Sequence, residues 1–293
     1  MKCKICGSEN TDIIYNDLIR DGGLGQYTKK PIKIFQCKDC DVIWHENKID
    51  DVKKYYETEE YRKELEGSSE EEKFYELHDK ETLDKLNYTG TTIFRNKIVA
   101  DIGCGAFLDY INGVAKQIIA IEPSLKYRNI MIKKGFNAYA YAEEAKKNYK
   151  DKIDVITSFD VIEHVQSPES FIKDVYDLLT AGGKAIIGTP TDAPVMRSLL
   201  GKDYEKKLLF STQHLWILSE KNLRIISEKC GFKNIDIKYY QRYGIDNMLG
   251  WLKDKEPKSE IKQKFITETL NNVWKAQLVD NGLADYIVLY LEK

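Results

Sequence analysis

Three groups of residues in this sequence have the types and spacing to do chemistry. The first is the turn Asp101-Ile102-Gly103-Cys104-Gly105, which follows the short apolar run Lys97-Ile98-Val99-Ala100. About twenty residues on, a second apolar run, Ile118-Ile119-Ala120-Ile121, ends on the acid Glu122. Small residues at a strand's end let a cofactor approach the backbone, and an acid at the next strand's end can accept hydrogen bonds from ribose hydroxyls. A glycine turn alone is weak evidence; the pair, at this spacing and after two strands, marks a nucleoside site. The second group is Cys3-x-x-Cys6 with Cys37-x-x-Cys40. A two-residue spacer turns both sulfurs of a knuckle toward one ion, and two knuckles complete a tetrahedral thiolate shell. Four thiolates saturate zinc and leave no position for water, so the predicted metal is structural. The third group is His164 and His214, whose side chains titrate near working pH and suit proton transfer.

These residues need a frame. Residues 1–47 read as a small zinc ribbon with strands around 13–15 and 32–35; His45 is a possible further ligand, but with four cysteines available it reads as a bystander. Residues 48–92 turn charged and tyrosine-rich and read as a helical linker or lid. There Ser69-Glu70-Glu71-Glu72 resembles a capping box, and Phe74, Leu77, Leu83 and Leu86 give a helix one apolar stripe. Tyr55, Tyr56 and Tyr61 are read either as core aromatics or as the roof of a ligand pocket, and His78 as an ordinary helix residue. From 93 to 293 strand and helix alternate, the signature of a parallel sheet covered on both faces. Ser124 is expected to cap a helix that stops at Gly135, with a third strand near 138–141 and a fourth at 153–158. Ser167 and Pro168 open a helix expected to end at Gly182-Gly183, before a fifth strand at 184–188. Ser219 caps a helix to Gly231, the last strands fall at 235–239 and 286–290, and 253–268 is an inserted helix or a mobile loop. The predicted class is α/β: a Rossmann-like seven-stranded sheet with a small N-terminal zinc-ribbon domain.

Composition narrows the partners. The chain has 293 residues, a formal net charge of −2 and no long block of one sign, so nothing global favours nucleic acid or an anionic membrane. No apolar run approaches the roughly 18 residues of a membrane span. Met1-Lys2-Cys3-Lys4 lacks the hydrophobic stretch of a leader, and a cytoplasmic chain is expected. Six cysteines in that compartment are thiols or metal ligands rather than disulfides. Cys104 and Cys230 read as small buried packing residues.

Taken together, Asp101-Ile-Gly103-Cys-Gly105, Glu122, Phe159-Asp160-Val-Ile-Glu163-His164-Val165 and the Gly182-Gly183 strand entry resemble class I S-adenosylmethionine-dependent methyltransferases. With the ribbon in front, the whole chain is similar to zinc-containing methyltransferases of bacterial sugar and capsule pathways, which include sugar C-methyltransferases. Gln241-Arg242-Tyr243-Gly244, Asn247 and Trp251-Leu252 resemble a segment of the same enzymes. The resemblance implies transfer of a methyl group from S-adenosylmethionine to a small acceptor, a nucleotide-linked sugar or a capsule or glycan precursor. Those C-methyltransferases carry a further C-terminal domain without counterpart here, which favours oxygen over carbon as acceptor. Phe107 stands where the family's glycine turn reaches its third glycine, and the turn is about two residues short, so the methionine end of the cofactor is expected to be held differently or weakly.

By the family's pattern Gly103 and Gly105 line the methionine portion, Glu122 binds the ribose, and Asp101 belongs to the same cofactor site. Ala142 and Glu143 border adenine, and Phe159 and Asp160 the sulfonium. Tyr56, Gln241 and Arg242 are candidates for the acceptor. His214 is the favoured base, in a Ser-x-Gln-His sequence where sugar methyltransferases have Tyr-x-Glu-His, and His164 the positioner. Two other functions compete. One is an RNA methyltransferase that grips RNA with the ribbon. Against it, Lys2, Lys4, Arg20, Lys29, Lys30, Lys33 and Lys38 are matched by Glu9, Asp12, Asp17, Asp21, Asp39, Asp41 and Glu46, and a ribbon without net charge grips phosphates poorly. The other is a non-catalytic scaffold built on the shortened cofactor loop.

Overall fold

The computed structural model describes residues 1–46, 52–58, 81–257 and 263–293, with the backbone alone for 52–54. The capping box at 69–72, together with Tyr61, Phe74, Leu77 and His78, lies outside the described residues. The strands are β1 (Thr11–Asp17), β2 (Ile32–Cys37), β3 (Ile43–His45), β4 (Ile98–Ile102), β5 (Gln117–Ile121), β6 (Asn137–Tyr139), β7 (Ile153–Phe159), β8 (Leu179–Pro190), β9 (Trp216–Ile217), β10 (Asn234–Tyr240) and β11 (Tyr286–Glu292).

Seven of them form a mixed sheet in the order β10-β11-β8-β7-β4-β5-β6. β4 pairs in parallel with both β5 and β7, β5 with β6, and β7 with β8. The apolar runs of β4 and β5 are almost wholly buried, as strands covered on both faces must be. After β4 the chain goes to β5 on one side and later to β7 on the other. The turns leaving these strands therefore open at one end of the sheet, where open α/β sheets bind ligands.

The chain divides into two compact units. One comprises 48–188, 224–236 and 289–293, with a core that includes Phe94, Val99, Phe107, Leu108, Ile118 and Met131. The other comprises 1–47, 189–223 and 237–288. Its core joins Tyr15, Ile34 and Ile43 to Leu200, Phe210 and Trp251. β1, β2 and β3 form an antiparallel ribbon that β9 extends, through Ile43 opposite Ile217 and Trp44 opposite Trp216.

Some local expectations need correction. The helix Pro168–Leu178 starts as its sequence requires, with Ser167 Oγ accepting from Ser170 N–H at 3.1 Å and proline in the first turn. It ends at Leu178 rather than at Gly182-Gly183, which lie inside β8. There Gly182 (φ 74°) donates its N–H to Lys293 O and Lys293 donates to Gly183 O. A Cβ on Gly183 would stand 2.9 Å from Thr180 O, so the pair serves close backbone approach, not helix termination. Ser124 precedes the helix Leu125–Lys133, but its side chain makes no cap bond. Within 253–268, a helix ends at Asp254 and another, Glu268–Asp280, begins where Thr267 caps Leu270 N–H; 258–262 lie outside the described residues.

Candidate active site and metal centre

Asp101, in β4, is buried and stands opposite Thr157 of β7, whose hydroxyl donates to its Oδ1 at 2.6 Å. Burial pushes the carboxyl up to about 6, against the pull of the Thr157 hydroxyl and the charge of Lys85. Between about pH 4 and 6 the folded chain therefore keeps a proton that the unfolded chain has released, and this group's contribution to stability falls as pH rises through that window. Asp101→Asn is expected to gain stability on the wild type between pH 4 and 7, by about 3 kcal/mol at most. Denaturant unfolding of both proteins across that range measures the gain; a pH-independent difference would contradict it.

The turn after β4 is stitched to β5. Gly103 donates its N–H to Ile121 O at 2.9 Å. The Cys104 thiol is buried, donates to Asp101 O at 2.8 Å, and accepts from Ile121 N–H at 3.1 Å. This is the packing role expected of it. Gly103 has φ 81°, and a Cβ there would lie 2.3 Å from Val161 Cγ2 in the segment after β7. The glycine thus lets the β4 and β7 ends close on one another. Gly105 follows, half-buried. Phe107 opens the helix Phe107–Ile111 directly and buries its ring against Phe94 (centroids 5.8 Å) and Phe159 (6.0 Å). Phe107 is thus a core residue placed directly after the turn.

Glu122, just beyond β5, is buried, and its Oε1 accepts the Ser124 N–H at 2.8 Å. Beside it the Ser124 hydroxyl is buried with no hydrogen-bond partner. Buried polar atoms are normally satisfied; an acid and an orphaned hydroxyl at one strand end fit the hydroxyl-rich ribose of a nucleoside. Ala142 begins the helix after β6, Ala142–Tyr149. Phe159 ends β7, with Tyr88 (6.2 Å between centroids) and the Lys85 amine (5.7 Å) against its ring. Asp160 takes a left-handed φ of 58° and donates its N–H to Gly188 O, a strained conformation of the kind that gathers at ligand sites. Asp101 is the penultimate residue of β4, and Gly103, Gly105, Glu122, Ala142, Phe159 and Asp160 end or follow four neighbouring parallel strands.

The same unit brings Tyr56 and His164 together. The Tyr56 hydroxyl lies 3.2 Å from His164 Nδ1, and Glu163 Oε1 stands 3.8 Å from Nε2. With the proton on Nε2, the carboxylate faces the N–H and the phenol donates to Nδ1. Burial raises the Tyr56 pKa, so the phenol stays protonated. The neighbouring Glu57 accepts from Tyr141 at 2.9 Å. The helix Val52–Glu57 therefore reaches both the loop after β6 and the segment after β7.

In the other unit, Cys3, Cys6, Cys37 and Cys40 offer four sulfurs within 4.8 Å of one another. Cys3 and Cys40 are 3.6 Å apart, and Cys6 and Cys37 3.5 Å. Bonds of about 2.3 Å to a tetrahedral zinc would space the sulfurs by about 3.8 Å. Burial pushes the Cys40 thiol well above its ordinary range, and a cation would hold it as thiolate. The set fits zinc. His45 is buried elsewhere: its Nε2 lies 3.0 Å from both Ser211 O and His214 O. Desolvation lowers its pKa, which favours the neutral ring.

His214 is half-buried, with its N–H bonded to Ser211 Oγ at 3.1 Å. Gln241 and Arg242 both meet a residue that no motif had singled out, Asp285. Gln241 Nε2 donates to Asp285 Oδ2 at 3.1 Å and Arg242 Nε to Oδ1 at 3.3 Å, while the guanidinium lies 4.6 Å from the Tyr286 ring centroid. Its only sequence signal is an acid directly before a buried apolar strand.

Comparison with known proteins bears on the family and the fold. The Methyltransferase domain family matches residues 73–237, more than half of the chain. No curated protein matches. Among solved structures, a complex between the Trm112 methyltransferase activator and a methyltransferase of Haloferax volcanii is similar, with TM-score 0.50 and 10% identity over 83% of this chain and 97% of that one. A SAM-dependent methyltransferase of Thermotoga maritima gives TM-score 0.49 and 20% identity over 76% of this chain and 93% of its own. One from Archaeoglobus fulgidus gives 0.48 and 20% over 76% and 97%. Identities this low speak for the fold alone. The family match covers β4 to β7 and the turns that leave them, and the chain accordingly belongs to the Methyltransferase domain family, as an S-adenosylmethionine-dependent methyltransferase.

Proposed function

We propose that the enzyme methylates a hydroxyl of a small acceptor, a nucleotide-linked sugar or a capsule or glycan precursor, and that its ribbon carries one structural zinc ion. The observation that carries the choice of a small acceptor over RNA is the pairing of the ribbon's cations. Lys38 meets Asp12 at 2.6 Å and Lys4 meets Glu46 at 3.3 Å in half-exposed pairs, so an acid stands beside each cation on the ribbon's surface and offsets the positive field that phosphates would need. Among the described residues no helix is long and apolar enough to cross a membrane, and none of the six cysteines is in a disulfide; action in the cytoplasm is part of the proposal.

When bound, S-adenosylmethionine supplies the methyl group on a sulfonium that leaves as a thioether. Glu122 would accept from the ribose, Ala142 border the adenine, and Asp101, Gly103, Gly105, Phe159 and Asp160 hold the methionine and sulfonium end. Cys3, Cys6, Cys37 and Cys40 would hold the metal and take no part in the reaction. Transfer of this kind is an in-line displacement, so alignment supplies much of the acceleration. An alcohol has a high pKa, and a base that takes its proton in the transition state helps further. His214 is the proposed base and His164, oriented by Tyr56 and Glu163, the positioner. Gln241 and Arg242, braced by Asp285, are proposed to orient the acceptor.

Methyl-labelled S-adenosylmethionine should transfer label to members of a nucleotide-sugar panel and not to RNA, and His214→Ala should lower that transfer at least about a hundredfold with cofactor affinity retained. Label in RNA, with a salt-dependent shift of RNA in a gel, would overturn the choice of acceptor. Turnover of the variant near wild type would remove His214 from the chemistry.

A further inference from the structure

We propose that His45 is a positioning residue for the segment that carries His214, and that the four-cysteine ribbon serves this enzyme as the scaffold of that segment. The proposal rests on the reading of His214 as the base. Residues 211–214 lie between Phe210 and β9, and their buried backbone groups must find partners outside a regular ladder. They find them in the N-terminal segment. One ring nitrogen, His45 Nε2, stands 3.0 Å from the carbonyl oxygens of both Ser211 and His214, the two ends of the segment. As an N–H donor it clamps them together.

Other contacts grip the same segment. Arg20 donates its N–H to Phe210 O at 3.1 Å and accepts from Thr212 N–H at 3.0 Å. The Thr212 hydroxyl donates to Asp21 at 2.9 Å. Beyond β9, Asn222 Nδ2 donates to the carbonyl of Cys40 at 3.2 Å and Asn222 Oδ1 accepts Ser219 N–H at 3.1 Å. His214 is therefore fixed at its N–H by Ser211 Oγ and at its carbonyl by His45. The carbonyl is thus held by a residue of the N-terminal segment and the N–H by Ser211 of its own segment, and the contact that reaches a cysteine knuckle is the one from Asn222 to Cys40 O.

The chemistry of the clamp selects the test. Leucine at position 45 fills the buried space but donates nothing, leaving the buried Ser211 carbonyl and the part-buried His214 carbonyl without their shared donor. Glutamine can place an amide N–H close to the position of Nε2. In the full-length, metal-loaded protein, His45→Leu should speed hydrogen exchange of amides 211–216 about tenfold or more and shift the ring resonances and titration of His214. Exchange in β4 and β7 and the affinity for S-adenosylmethionine should stay within about twofold. His45→Gln should return both the exchange and the His214 resonances toward wild type. The chain has only four histidines, so the ring signals can be assigned by substitution.

Unchanged exchange and unchanged His214 resonances in His45→Leu would overturn the proposal. So would a His45→Gln protein as disturbed as His45→Leu, or a general rise in exchange with cofactor affinity lost. A loosened segment whose enzyme transfers methyl groups at the wild-type rate would overturn the role of His214 itself. That failure is distinct, because it leaves the clamp demonstrated.

Discussion

Removing the metal from the four-cysteine centre is expected to unfold the ribbon and the segments that share its core. Chelation, or Cys40→Ser, should release one zinc ion per chain and lower the melting temperature by more than about 10 °C, since a structural zinc site contributes on the order of 10 kcal/mol to folding. The size of the effect follows from the packing. Tyr15, Ile34 and Ile43 of the ribbon lie in one core with Leu200, Phe210 and Trp251, and β3 is hydrogen-bonded to β9. The ribbon rests on one hairpin, β1 of seven residues and β2 of six, to which β3 adds three and β9 two, and so small a sheet is marginal without a further constraint. Metal loss should therefore disturb 193–217 together with 1–47. Metal analysis with calorimetry before and after chelation checks this; a purified chain without zinc and indifferent to chelator would contradict it.

The second large effect is expected at Gly103. Its φ of 81° is a conformation that side chains adopt only at a cost, and a Cβ would press to 2.3 Å from Val161 Cγ2. Gly103→Val should cost about 2 kcal/mol or more in stability, and should weaken S-adenosylmethionine binding at least about tenfold by forcing the β4 and β7 ends apart. A Val161→Ala change in the same chain should recover part of the binding, because it removes the atom that the new side chain strikes. Wild-type affinity in Gly103→Val would show that the cofactor does not rely on this closure.

Legibility in the sequence followed the range of the interactions involved. The apolar runs of β4 and β5, the acid at Glu122 and the Ser167-Pro168 helix start are local patterns, and they stand where local physics puts them. The Gly182-Gly183 pair misled because a helix stop and a bend within a strand use the same residue. What separates them is Lys293, about a hundred residues away, which supplies the partner backbone. Asp285 and His45 were opaque for the same reason. Their roles are contacts to residues distant in sequence, Gln241 and Arg242 in one case and Ser211 and His214 in the other. Residues 1–47 read as a ribbon from their cysteines, but no periodicity revealed that β9 extends their sheet. Phe107 drew notice as a missing glycine; its burial against Phe94 and Phe159 makes it the start of a packed helix.

The turn after β4 and the acid after β5 are proposed to form a working S-adenosylmethionine site, with Phe107 packed directly after the turn. Calorimetric titration of S-adenosylmethionine into the full-length wild-type protein tests it most directly. One site of micromolar affinity, about −8 kcal/mol, is the expected result, weakened at least about tenfold in Glu122→Ala with zinc content unchanged. No heat of binding in a folded, zinc-loaded wild-type chain would contradict the claim and favour a scaffold in its place.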